Sequence, residues 1–202
     1  MTAILISAFI TLFVVVDPLG LGPIFIGLTE GLDPAQRRKI AWEASLIAFL
    51  VLAGTALIGD WLLTQLGISL AAFRIAGGLL LFAIAFEMVF GQRVERKTGQ
   101  SSGAQHVAAF PLAIPLMAGP GAIAAMVLLA GRMDGNWLGI AFLIVVTATV
   151  LAIALAVFLA SQQLNRIMGA QAQVVMGRLL GVLLAALAVQ YVADGILTLA
   201  KA

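Results

Sequence analysis

Two prolines sit five residues apart inside a stretch apolar enough to cross a bilayer, and that pairing limits what this chain can fold into. The stretch runs from about Ala3 to Leu28, and its centre reads Asp17-Pro18-Leu19-Gly20-Leu21-Gly22-Pro23. Proline lacks a backbone donor and its ring crowds the carbonyl one turn earlier, and glycine is a poor helix former. Backbone groups freed in hydrocarbon persist only where protein buries them or where they line a wet cavity. The segment is therefore expected to form two half-helices joined by unwound backbone, with the Asp17 carboxylate at the break.

The pattern returns. Pro115-Leu116-x-x-Gly119-Pro120 repeats Pro18-Leu19-x-x-Gly22-Pro23 at a constant offset of 97 residues. Interrupted apolar segments at matching positions in two halves are the best sequence pointer to the binding site of a secondary transporter.

Composition sets the surroundings. Of 202 residues, 63% are hydrophobic and 10% charged, with a mean hydropathy of +1.15. A soluble domain carries about 25% charged residues. This chain cannot cover itself with polar surface, so its partner is the lipid bilayer. A net charge of +2 does not suggest nucleic acid. With no cysteine and one histidine, His106, there is no basis for a disulfide framework, a Cys-based metal site or a multi-histidine site. No P-loop, zinc-binding His-Glu-x-x-His or nucleophile elbow occurs. Neither an enzyme nor a bound cofactor is expected. Met1–Ile6 lacks the basic start of a secretory signal, so the first helix is expected to be retained.

Runs of about 20 apolar residues predict an all-α polytopic protein with six spans. These are roughly 3–28, 40–63, 70–90, 107–130, 137–160 and 174–199, with the first and fourth broken. Asp33 followed by Pro34 marks a helix start before the second span. A polar turn is expected over 161–173. The long polar segment 92–106 reads as a cytoplasmic linker within one transmembrane domain, dividing a first repeat, about 1–91, from a second, about 107–202. Loops one, three and five hold seven Lys and Arg residues, whereas the opposite side holds Arg132 and Lys201. Both termini should then face outward. Three spans per half make the repeat an inverted one. Arg74-x-x-Gly77 and Arg178-x-x-Gly181 extend it into spans three and six.

At this point the sequence resembles a known family. Asp-Pro-Leu-Gly-x-x-Pro-Ile-Phe at 17–25, the run Phe73–Phe82 and the run Pro111–Ile123 are similar to motifs of the MarC family, which includes SnatA-like neutral amino acid transporters. The resemblance covers essentially the whole chain. It implies an inverted-repeat, proton- or sodium-linked carrier of glycine, alanine and similar amino acids in a bacterial or archaeal cytoplasmic (inner) membrane. Leu21 stands where family members commonly carry asparagine, and Ala124 and Ala125 where threonines are frequent.

The candidate substrate site comprises Asp17, Pro18, Gly20, Leu21, Gly22 and Pro23 with Pro115, Ala118, Gly119, Pro120 and Gly121. Half-helix N-termini favour a carboxylate, and unwound carbonyls favour a cation. Asp17 has two readings: a ligand or protonatable coupling group, or a cap for the second half-helix. Arg74, Arg178, Glu87 and Gln190 are candidate coupling or gating residues, and H+ or Na+ is the candidate coupling ion. Arg74 and Arg178 also fit simple snorkelling. Gly177-x-x-x-Gly181 fits close helix packing and leaves a homo-oligomer open. Two further function classes remain: an exporter or channel for another small solute, and a non-transporting structural or regulatory membrane protein.

Overall fold

A computed structural model describes residues 2–90, 108–133 and 135–201. The expected linker, 92–106, lies outside the described residues. Within them the chain forms seven α-helices and one π-helical stretch. They are α1 (Thr2–Val16), α2 (Pro18–Leu28), α3 (Pro34–Gln65), α4 (Leu70–Phe90), the π-helix (Ala108–Met117), α5 (Pro120–Gly131), α6 (Trp137–Leu159) and α7 (Ser161–Leu199). Five segments are long and apolar enough to cross a membrane: Ile4–Leu28, Pro34–Gln65, Leu70–Phe90, Trp137–Leu159 and Val174–Leu199. The fourth span, expected to be broken, is divided between the π-helix and α5. Helix α5 has 12 residues, about 18 Å at 1.5 Å per residue, too short to cross alone.

Local chemistry sets most boundaries. Asp33 caps α3 as expected, its Oδ1 accepting the Gln36 N–H at 2.9 Å, with Pro34 at the first helical position. Asn136 caps α6 by accepting from Leu138 and Gly139. The polar turn expected over 161–173 is absent, because α7 begins at Ser161, one residue beyond α6. That stretch is polar, but its Gln, Leu, Arg, Met and Ala residues are good helix formers and no proline interrupts them.

Helix α5 sits at the centre of the bundle. Gly121, Ala122 and the whole run from Ala124 to Ala130 are buried, as expected for a helix that is apolar all round. It packs on α3, α4, α1 and α6. The most extensive pairing is α4 with α7, and small residues every seventh position explain it. A Cβ on Gly195 would meet the Ala71 carbonyl, one on Gly78 the Ala188 carbonyl, and one on Gly181 the Ala85 carbonyl. The two helices therefore run antiparallel with their backbones nearly touching, the geometry that small residues permit in membranes. Gly181 belongs to this seam, whereas Gly177 faces open space.

Candidate functional site: the two helix breaks

The first break is one residue wide. Asp17 adopts a left-handed conformation (φ 53°, ψ 63°) and is 7% exposed. Its backbone N–H donates to the Phe13 carbonyl at 2.9 Å, and its carbonyl accepts from Leu21 N–H at 3.1 Å. Helical hydrogen bonding thus closes on both sides of the break. The Asp17 side chain folds onto α2, where Oδ1 accepts the Gly20 N–H at 3.1 Å. A Cβ at position 20 would collide with that carboxylate, so the glycine makes room for the cap. The left-handed conformation costs an L-residue about 1–2 kcal/mol, and aspartate tolerates it because its side chain bonds locally.

This corrects the expectation of unwound backbone from Asp17 to Pro23. Gly20, Leu21 and Gly22 are helical, and Pro23 lies inside α2. Pro18 fills the first helical position, where no donor is needed. Pro23 forfeits only the one bond that its N–H would have given Leu19.

The second break lies at Ala118-Gly119. The Ala118 N–H closes the π-helix on the Ala113 carbonyl at 2.8 Å. Gly119 is extended (φ −80°, ψ 172°), and no side chain caps α5. The first closed helical bond is Ile123 N–H to the Gly119 carbonyl, 3.0 Å. Pro115 and Pro120 are exposed, whereas Ala118, Gly119 and Gly121 are buried. A Cβ on Gly121 would strike Ile84 and lie 3.3 Å from Leu81 and 3.6 Å from Val15. The start of α5 therefore abuts the end of α1, two residues before Asp17.

Side chains filling this junction are apolar: Val15, Leu81 and Ile84. Leu21, Ala124 and Ala125 are 0%, 2% and 0% exposed, so the three departures from the resemblance are core residues. Cavities lined by described residues lie elsewhere. One of about 500 Å³ is lined by Arg74, Asp194, Thr198 and Lys201. Another, about 360 Å³, runs between α1 and α7 beside Thr11 and Leu184. A further one, about 330 Å³, lies at the Arg37 end of the bundle.

The candidate gating residues are dispersed. Arg74 is half-buried against Gly195 and shares its cavity with Asp194. Gln190 donates to Asp194 Oδ1 at 2.7 Å within α7 rather than across helices. Arg178 is exposed toward the opposite end of the α4–α7 seam, where half-buried Glu87 also lies. One contact escaped the sequence reading. The Arg132 guanidinium sits 5.1 Å from the ring centroid of Tyr191, which is 1% exposed. The available signal was a lone arginine closing an apolar helix and the chain's one tyrosine placed inside a span. Among the described residues, no group of three potential metal ligands occurs.

The profile described as "MarC family integral membrane protein" matches residues 2–200. The chain belongs to the MarC family. Its relatives include a UPF0056 membrane protein of Archaeoglobus fulgidus, 36% identical over 194 residues, covering 94% of this chain and 91% of the relative. The UPF0056 membrane protein YhcE of Escherichia coli is 33% identical, covering 93% and 89%. YvbG of Bacillus subtilis is 31% identical, covering 97% and 95%. No solved structure matches. The names of these MarC relatives give a membrane location and neither a substrate nor a reaction. With five long apolar segments among its described residues, this MarC chain is a multi-pass integral membrane protein.

Proposed function

We propose that this MarC protein is a secondary transporter of small neutral amino acids such as glycine and alanine, working by alternating access around the two breaks. On this reading the chain comprises six spans in two inverted repeats. The main helix pairings support it, because exchanging the halves maps them onto one another. The contacts of α1 with α5 and α7 have no comparable counterpart at the π-helix among the described residues. Helix α2 lies on α6 and α7, and α5 lies on α3 and α4; α1 lies on α6, and the π-helix lies on α3. Spans three and six pair with each other, as do spans two and five.

The observation that carries the proposal is the junction itself: the uncapped start of α5 lies against Val15, beside the buried Asp17. An uncapped helix start attracts a carboxylate through its unpaired N–H groups and aligned dipoles. The substrate carboxylate would sit at the Gly121 and Ala122 amides, with its ammonium toward Asp17. Rocking one half against the other would open the junction to each side in turn, coupled to H+ or Na+. The test is uptake of labelled glycine and alanine into proteoliposomes under imposed proton or sodium gradients. Gradient-dependent flux that Asp17→Asn abolishes is expected, and no flux under any gradient would overturn the proposal.

The apolar packing of Val15, Leu81 and Ile84 favours a second reading, a non-transporting structural protein in which the breaks only shape the bundle. It predicts no flux, and an Asp17→Asn effect on stability alone.

A further inference from the structure

The cavity at the Arg37 end lies where α2 finishes, α3 starts and α6 meets α7. Its lining includes Phe25, Pro34, Arg37, Arg38, Phe158 and Ser161. Phe25 and Phe158 stack at 4.7 Å with 15° between their rings, giving it an apolar floor. Arg37 is held in place. Its Nε donates to Thr29 Oγ1 at 3.1 Å, and that buried hydroxyl donates to the Phe25 carbonyl at 2.7 Å. The Nη end of its fork has no hydrogen-bond partner among the described residues. Among the described residues, no carboxylate pairs with Arg37 or Arg38; the ion pair at this end is Lys39 with Glu43, 3.7 Å.

Depth is set by tryptophan. Trp42 and Trp61 on α3 are 56% and 61% exposed. They are 19 residues apart, about 28 Å of helix against a hydrocarbon core of about 30 Å. Exposed tryptophans mark the membrane–water boundary. Arg37 and Arg38 lie one turn beyond Trp42, at headgroup level.

The geometry points to a binding site for the phosphate of an anionic phospholipid. Guanidinium forks hold phosphate by paired, charge-assisted hydrogen bonds. Basic pockets between membrane helices bind phospholipid headgroups. The stacked phenylalanines suit the glycerol and first methylenes of a lipid and give nothing to a free phosphate ion. The inference stands whether or not the protein transports amino acids.

The test is native mass spectrometry and thermal unfolding of delipidated protein with phosphatidylglycerol, phosphatidylcholine or inorganic phosphate. Phosphatidylglycerol is expected to bind and stabilise, with phosphatidylcholine and inorganic phosphate without effect. Arg38→Gln removes an exposed, unpartnered side chain and so spares the fold. It should weaken phosphatidylglycerol about fivefold. Arg37→Gln with Arg38→Gln should weaken it by about 25-fold or more. Lys39→Gln, the same charge change beside the cavity, should leave binding within about twofold. Equal losses for Lys39→Gln and Arg38→Gln would mean diffuse surface charge and overturn the site. Equal stabilisation by inorganic phosphate would overturn the lipid as its ligand, as would binding of both lipids alike.

Discussion

The segments Pro18–Pro23 and Pro115–Pro120 carry the same pattern, yet the chain breaks at opposite ends of it. In the first the break precedes the leading proline, and the trailing one is absorbed into α2. In the second the leading proline stays inside the π-helix, and the break precedes the trailing one. The residue before the motif accounts for the difference. Asp17 can adopt the left-handed conformation and cap the next helix with its own carboxylate. The matching residue, Ile114, is β-branched, and positive φ is a severe outlier for such a side chain. The second break therefore moves to Ala118-Gly119, where extended backbone suffices and α5 starts uncapped. One half carries a charge folded onto its own helix, and the other carries unanswered N–H groups. A zwitterion needs both.

Four substitutions sharpen or break this contrast, each read by reversible unfolding in detergent. The largest effect is expected from Ile114→Asp, which puts a carboxylate where no helix starts. Destabilisation of about 2.5–3.5 kcal/mol is expected, the insertion penalty of an unpartnered acid. A neutral result would mean that the second break accepts a cap like the first. Gly121→Val forces a Cβ and its two methyl groups into Ile84 at the junction and should destabilise by about 1–3 kcal/mol. A tolerated valine would show that the breaks are not in contact. Asp17→Ala removes the cap and should forfeit about 0.5–2 kcal/mol. Asp17→Asn keeps both the cap and the tolerance for left-handed backbone, so it should cost less than the about 0.5–2 kcal/mol of Asp17→Ala. The proposed function expects that smallest structural change to abolish flux.

Much of the fold was legible because its signals are local. The Asp33-Pro34 start needs only neighbouring residues, and the long apolar runs need only counting. That both segments break was legible from their prolines, but not where. Proline states what a position cannot donate, and whether Pro23 starts a helix or hides in one depends on Asp17 and Gly20 together. The π-helix left no trace, since residues apolar on every side show no period to shift. The seam residues Ala71, Gly78 and Ala85 were visible as a seven-residue spacing, but their partners Gly195, Ala188 and Gly181 lie over 90 positions away. Arg132 and Tyr191 were likewise separate oddities until the fold put one over the other. The 161–173 stretch is polar yet helical, because the helix propensity of its residues outweighs their polarity.

The central claim is that the junction between the breaks opens to each side of the membrane. The chain has no cysteine, so Ala118→Cys, a small change at a position 1% exposed, reports on the junction alone. Its modification by a membrane-impermeant maleimide should be measured from each side, with and without alanine. Slow labelling from both sides, suppressed by alanine, is the predicted result. A folded variant that stays unlabelled from both sides, with alanine making no difference, would contradict the account.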